Sequence, residues 1–572
     1  MLIRFCFSLS VLMSALTGAL ITLPAHAAVL PKQAAVASAH PLATEAGIKI
    51  LESGGNAFDA AIAVAAVLGV VEPYSAGIGG GGFWMLHRAK DGKTIMVDAR
   101  EMAPAGAHKD LFLDKNGEVD RDKAVNTALA AGIPGQAAAF VHLSQHYGTL
   151  PLSDTLAQAI RFASGGFPVN KVYTRLAEMR ASTLRRYPAS KRIFLRDNEA
   201  PKDGLIVQQG LAQTLKALAE KGFDGFYKGE VAQRLVEGVK AHGGIWTLED
   251  LANYKVVERE PIQFTFKAGG QDAVIWSAPP PSSGGVALAQ MFGMLSLFNL
   301  DNKSETDRTH LLIEVMRRAY RDRAEYLGDP DFVDVPIAKL TNPAYLDDLA
   351  SNISMGHATP SSELGIPKQT GSGTHTTHFS IIDKAGNRVA ATLSINLPFG
   401  SGVTVAGTGV LLNNEMDDFS AKPGSPNAYG LIGSHANAIA PGKRPLSSMT
   451  PTFMEYGPKD NRQFALIGTP GGSRIITMVF LGLLEALDQK GPQVWVDRPR
   501  FHHQFVPDVV QHEPGAFSAA TMSDLQKRGH TLKDVGHSYG DMHAIRWHMS
   551  NGNVEAASDQ RRLGKALLGT NQ

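Results

Sequence analysis

Thr376-Thr377-His378-Phe379-Ser380-Ile381-Ile382-Asp383 is the stretch on which the reading of this chain turns. Its β-branched content and partial alternation predict a strand; Lys384-Ala385-Gly386-Asn387 is a turn signal, and Arg388 to Asn396 reads as the return strand. A three-residue Lys-Ala-Gly loop with Gly386 left-handed sets Asp383 opposite Asn387. By that register Thr376 lies across from Ser394, with Asn396 two residues further along the same face. A slip of one residue would separate them. The preceding segment, Thr359 to His375, is rich in Gly, Pro, Ser and Thr, and only Leu364 and Ile366 could anchor it, so it is expected to be exposed and flexible. It reads either as an interdomain linker or as a bond presented for cleavage. In the second case, cutting before Thr376 frees an α-amine that can act as base for the threonine's own hydroxyl. Such an amine has a pKa of roughly 7.7–8.0, so part of it is neutral near pH 7.

The surrounding chain fits an exported α/β enzyme. It has 572 residues, 55 Lys+Arg against 54 Asp+Glu, and 44% hydrophobic content, which argues against both disorder and nucleic-acid binding. Arg4, the uncharged run from Phe5 to Leu23 and Ala25-His26-Ala27 predict a signal peptide over 1–27, cut between Ala27 and Ala28, with no membrane anchor afterwards. Cys6 is the one cysteine and lies in that signal, so the mature chain has no disulfide, thiolate metal site or cysteine nucleophile. Helical patterns alternate with β-branched runs. Asn56 is placed to cap a buried helix over Ala57 to Val71, and Thr306 to Leu327 reads as an amphipathic helix stopped by Gly328. Gly77 to Gly82 contains Gly-x-Gly-x-x-Gly, but it follows a helix and Pro73 where a dinucleotide site needs a strand. His502, His503 and His512 read as structural or solvated, because adjacent histidines point different ways; neither a metal nor a cofactor is expected.

The blocks downstream of Thr376 resemble the γ-glutamyltransferase family: Thr376 to Ser380, Asn396 to Ser401, Leu411 to Ser420, Lys443 to Pro451, and Pro470-Gly471-Gly472-Ser473-Arg474. Upstream, Ser53 to Ala60 and Asp98 to Pro104 look like its N-terminal blocks. The resemblance implies an N-terminal-nucleophile hydrolase, an α/β (α+β) fold with an αββα four-layer sandwich. It also implies a precursor that cuts itself between His375 and Thr376 into a large subunit, 28–375, and a small subunit, 376–572, which stay together as a heterodimer. The implied activity is cleavage of the γ-glutamyl bond of glutathione and other γ-glutamyl compounds through an acyl-threonine, with transfer to water, amino acids or peptides in a periplasm. Thr376 takes the nucleophile position, with Thr374 and Thr377 as rival starts; Ser394 supports it, and His378 reads as structural. Arg100 with Ser447 and Ser448 would bind the substrate α-carboxylate, whereas Asp418, Glu415 and Asn396 would hold the α-ammonium. Gly471 and Gly472 suit an oxyanion hole. Pro426 to Gly430, with Tyr429, resembles the lid loop of some members. Two other readings stay open: a related acylase that removes glutaryl side chains from β-lactams, and an uncut γ-glutamyl binding protein without activity.

Overall fold

The computed structural model describes residues 28–268, 271–365 and 376–570. The predicted hairpin is its organising unit. Strands Thr377–Ile382 and Arg388–Ser394 pair antiparallel from Arg388 opposite Ile382 to Leu393 opposite Thr377. Gly386 has φ +87°, its N–H donates to Asp383 O at 3.1 Å, and Asp383 N donates to Asn387 O at 3.1 Å, so the register is the one read from the turn. The Asp383 carboxylate also accepts from Ala57 N at 3.0 Å. The turn is thereby tied to the first residue of the helix behind it.

Seven antiparallel strands make the first sheet, in the order Lys565–Leu568, Ala35–Ser38, Thr377–Ile382, Arg388–Ser394, Gly81–Arg88, Lys93–Ala99, Val257–Arg259. Strands from both sides of position 376 therefore interleave. A second sheet of six runs Val554–Ser558, His543–His548, Gln463–Gly468, Thr452–Tyr456, Gln271–Ser277, Ile262–Ala268. Period-2 alternation sorts side chains between two cores. Trp84 and Leu86 point into a core shared with helix Ala57–Val71, while Phe83 and Met85 join the core between the sheets with Phe464, Leu466 and Ile545. Helices Gly284–Leu295 and Ile475–Leu487 cover the outer face of the second sheet. The layers are helix, sheet, sheet, helix, as expected.

All fifteen residues of helix Ala57–Val71 are buried. Its start is fixed by a capping box in which Asn56 Oδ1 accepts from Phe58 N and Asp59 N while Asp59 Oδ2 accepts from Asn56 N. The second predicted helix runs Glu305–Tyr326 behind a Ser304 cap. Gly328 is not its left-handed stop, since its φ is not positive; a Cβ there would come within 2.3 Å of Ala436 O, so close backbone approach selects glycine.

The expectation of an exposed segment from Thr359 fails at Thr359 and Ser361, whereas Pro360, Ser362, Glu363 and Gly365 are exposed. Thr359 N donates to Glu314 Oε1 (3.2 Å), and Arg318 and Arg317 donate to the Thr359 and Ser361 hydroxyls (3.1 and 2.8 Å). Ser361 in turn donates to Asp508 and Phe505 O, so both side chains are buried. Residues 366–375, including His375, and the 1–27 signal with Ala27, lie outside the described residues. No helix among the described residues is long and apolar enough to cross a membrane.

Candidate active site

Thr376 sits at the head of the Thr377–Ile382 strand and is 3% exposed. Gly80, where a Cβ would fall 2.1 Å from Ser394 O, lets the neighbouring chain press against the end of the return strand. Beyond that end the backbone turns sharply: Asn396 adopts φ +70°, a left-handed conformation that asparagine tolerates better than most residues. Ser394 Oγ accepts from Asn396 N at 2.7 Å, Asn396 Nδ2 donates to Asn414 O at 2.9 Å, and Tyr429 OH donates to Asn396 O at 2.9 Å. The strand pair, the 411–420 block and the loop around Tyr429 are thus joined at one residue.

One cleft gathers Thr376, Ser394, Asn396, Arg100, Glu415, Asp418, Tyr429, Ser447, Ser448 and Gly472. Gly471 is adjacent, with φ +151°, and a Cβ there would lie 2.3 Å from Met478 Cε. The loop around Tyr429 is pinned to the same cleft: Asn427 Nδ2 donates to Asp418 Oδ1 (3.1 Å) and Ala428 N to Asp417 Oδ2 (2.9 Å). Ala28, the remaining residue singled out, is exposed at the start of the described chain, away from this group.

Arg100 is the electrostatic centre. Its Nη1 donates to Glu415 Oε1, its Nη2 lies 2.5 Å from Asp418 Oδ2, its Nε donates to Pro445 O (3.1 Å), and Glu101 Oε2 stands 3.5 Å from Nη1. Three carboxyls thus surround one guanidinium at nearly dry positions. Burial raises all three. Glu101 is pushed up to about 7 against the pull of Arg100; Glu415 goes well above the ordinary range, with Glu101 repulsion adding; Asp418 rises by burial, opposed by Arg100. Burial by itself would lower Arg100, and the carboxylates more than offset it. The cluster therefore has more carboxyl and amide acceptor capacity than Arg100 uses. Asn396 Oδ1 and Glu415 Oε2 are buried without a hydrogen-bond partner.

Two residues of this site escaped the sequence reading. Glu101 lies inside the Asp98 to Pro104 block, which gave it no role. Arg323 lines the cleft from helix Glu305–Tyr326. The signal for it was present: it continues the four-residue spacing of Leu311, Val315 and Ala319, so a cation occupies the apolar stripe.

The histidines divide as expected. His378 is buried between Thr392 Oγ1 (2.9 Å) and Ser380 Oγ (3.2 Å), and burial holds it well below its ordinary pKa. His502, His503 and His512 each engage a separate partner: Thr477, Asp508 and Glu513 O. Among the described residues, His310, Glu314 and His530 have metal-ligating spacing. Arg317 and Arg318 both pair with Glu314, and His310 Nδ1 meets His530 Nε2 at 2.7 Å, so these atoms are engaged with other partners and flanked by cations, while His530 Nδ1 is buried without one.

The comparisons with known proteins agree with this geometry. The family model described as gamma-glutamyltranspeptidase matches residues 43–569. The glutathione hydrolase proenzyme of Escherichia coli (strain K12) is 43% identical over 545 residues, covering 94% of this chain and 92% of that protein. The crystal structure of Helicobacter pylori gamma-glutamyltranspeptidase is 39% identical with a TM-score of 0.54, covering 57% of this chain and 93% of that one. Cephalosporin acylase from Bacillus halodurans superposes over more of the molecule, with a TM-score of 0.82 across 94% of this chain and 96% of that one, but at 28% identity. The four-layer arrangement is that of the N-terminal-nucleophile hydrolases. By the extent and level of these matches, the chain belongs to the gamma-glutamyltranspeptidase family.

Proposed function

We propose that this chain is a glutathione hydrolase and γ-glutamyl acyltransferase, made as a precursor and activated by cleavage before Thr376. The observation that carries the reading is the charge layout of the cleft. An excess of carboxyl groups around Arg100, with Asn396 Oδ1 beside them, suits an α-ammonium, and two serine hydroxyls suit an α-carboxylate. The γ-glutamyl group presents both charges and a carbonyl for Thr376. A glutaryl group lacks the ammonium, so it leaves the carboxyl excess without a cation.

On this reading the Thr376 amine takes the hydroxyl proton as Oγ attacks the γ-carbonyl carbon. The N–H groups of Gly471 and Gly472 receive the oxyanion, a term worth ~100–1000-fold for one donor. The proton passes to the departing amine as the C–N bond breaks, leaving a γ-glutamyl ester on Thr376. Water or an acceptor amine then attacks that ester and restores the hydroxyl. Ser394 braces the nucleophile's end of the strand, and Tyr429 shields the ester from water. Glu415, Asp418 and Asn396 hold the ammonium; Arg100, Ser447 and Ser448 face the carboxylate. All these groups belong to the chain, so the route uses no cofactor. The large subunit, 28–375, and the small subunit, 376–572, remain one heterodimer because their strands share a sheet. The signal reading of 1–27 places the enzyme in a periplasm. The test is competition between substrates: glutathione should be cleaved to glutamate and cysteinylglycine, and faster hydrolysis of a glutaryl β-lactam would overturn the assignment in favour of the acylase.

A further inference from the structure

Arg323 has no place in the scheme above, yet it is 4% exposed and lines the cleft. Burying a cation is costly unless it is paired. Buried Arg100, Arg317 and Arg500 each hold a carboxylate. No carboxylate oxygen of the described residues lies within 4.0 Å of Arg323. Its bonds go to hydroxyls instead: Nε donates to Ser283 Oγ at 3.0 Å and Nη2 to Ser448 Oγ at 3.2 Å.

Those bonds fix hydrogen positions. Ser448 Oγ accepts from Arg323, so its own O–H is left to donate. Ser283 Oγ accepts from Arg323 and donates to Ser447 O at 2.7 Å, which anchors the backbone of the adjacent serine. Ser447 Oγ accepts from Met449 N at 3.1 Å, so its O–H is also available as a donor. Two oriented hydroxyl donors therefore converge in front of a guanidinium that no carboxylate touches. The Arg100 fork, by contrast, is already donated to Glu415 and Asp418.

We propose that Arg323 is the positioning residue that makes this pocket selective for a substrate α-carboxylate, through Ser448 directly and Ser447 by way of Ser283, with its own charge adding to that of Arg100. The inference rests on the γ-glutamyl reading. Its test compares kcat/KM for γ-glutamyl-p-nitroanilide with that for the analogue whose α-carboxylate is a carboxamide, in wild type, Arg323→Met and Arg323→Lys. The acid-over-amide ratio should fall about 10- to 100-fold in Arg323→Met, the range of a charge-assisted hydrogen bond, mainly through KM. Arg323→Lys keeps the charge and should recover the larger part of the ratio. A ratio equal to wild type in Arg323→Met, with both substrates weakened alike, overturns the proposal. If Arg323→Met does not accumulate as folded protein, Ser283→Ala cuts the relay alone and should lower the ratio about threefold or more; an unmoved ratio again overturns it. Wild-type protein that turns over neither anilide overturns the γ-glutamyl reading itself, which separates the two failures.

Discussion

Asp418→Asn is the substitution that most sharply divides an ammonium-holding pocket from one that merely contains a salt bridge. Asp418 Oδ2 is 2.5 Å from Arg100 Nη2, Oδ1 accepts from Asn427, and the side chain is 12% exposed. The amide replacement keeps an acceptor for Asn427 and leaves Arg100 with Glu415 and Glu101, so the cleft stays assembled. What it removes is one negative charge facing the substrate ammonium. Leaving a buried charge without its partner costs ~3–5 kcal/mol. At 1.4 kcal/mol per factor of ten, kcat/KM for γ-glutamyl-p-nitroanilide should fall by on the order of a hundredfold to several-thousandfold. A glutaryl anilide has no ammonium and should lose far less. Self-cleavage, which uses Thr376 and not the glutamyl pocket, should proceed in the variant. The assay is kcat/KM for both anilides on both proteins, with the processed fragments followed on a gel. Equal losses on the two substrates would refute the reasoning, because the carboxylate would then be acting only through the shape of the site.

Three further expectations follow from other parts of the molecule. Burial pushes Glu72 up to about 7, with Asp541 adding to the rise, and Thr377 Oγ1 donates to it at 3.0 Å. The folded state keeps that proton between about pH 4.5 and 7 while the unfolded chain has lost it, so stability falls as pH rises through this window and is flat above it. The term is on the order of 3 kcal/mol, and Glu72→Gln should flatten the corresponding slope in urea denaturation. Asp59→Ala removes the acceptor for Asn56 N, Thr149 N and Oγ1, and Leu150 N, and should destabilise the protein by roughly 2–4 kcal/mol, read as a lower urea midpoint. Cell fractionation of the expressed chain should recover protein beginning near Ala28 outside the cytoplasm; full-length protein retained inside would rule out the signal reading of 1–27.

Local rules made much of the fold legible. The Lys-Ala-Gly turn sets the strand register, and with it the approach of Thr376, Ser394 and Asn396; Asn56 and Asp59 set the start of the buried helix. These are properties of a few consecutive residues, so spacing carries them. Contacts between distant segments are not encoded that way. Arg317 and Arg318 reach across to Ser361 and Thr359 and bury both side chains within a stretch whose composition is that of a linker. Gly328 matches a helix stop in sequence, but its requirement comes from Ala436, more than a hundred residues away. The family blocks bring the glutamyl-site residues into view, and say nothing of how their charges balance. That Arg100 spends its fork on Glu415 and Asp418 while Arg323 goes without a carboxylate follows only from the packing of three separate segments.

Every role proposed for the cleft depends on Thr376 becoming an amino-terminal nucleophile. Intact mass and N-terminal sequence of the purified protein, measured beside release of p-nitroaniline from γ-glutamyl-p-nitroanilide, test it for wild type and Thr376→Ala together. The wild type should give two fragments, the smaller beginning Thr-Thr-His-Phe, and Thr376→Ala a single inactive chain. Normal cleavage of Thr376→Ala, or turnover by an uncut wild-type chain, would contradict it.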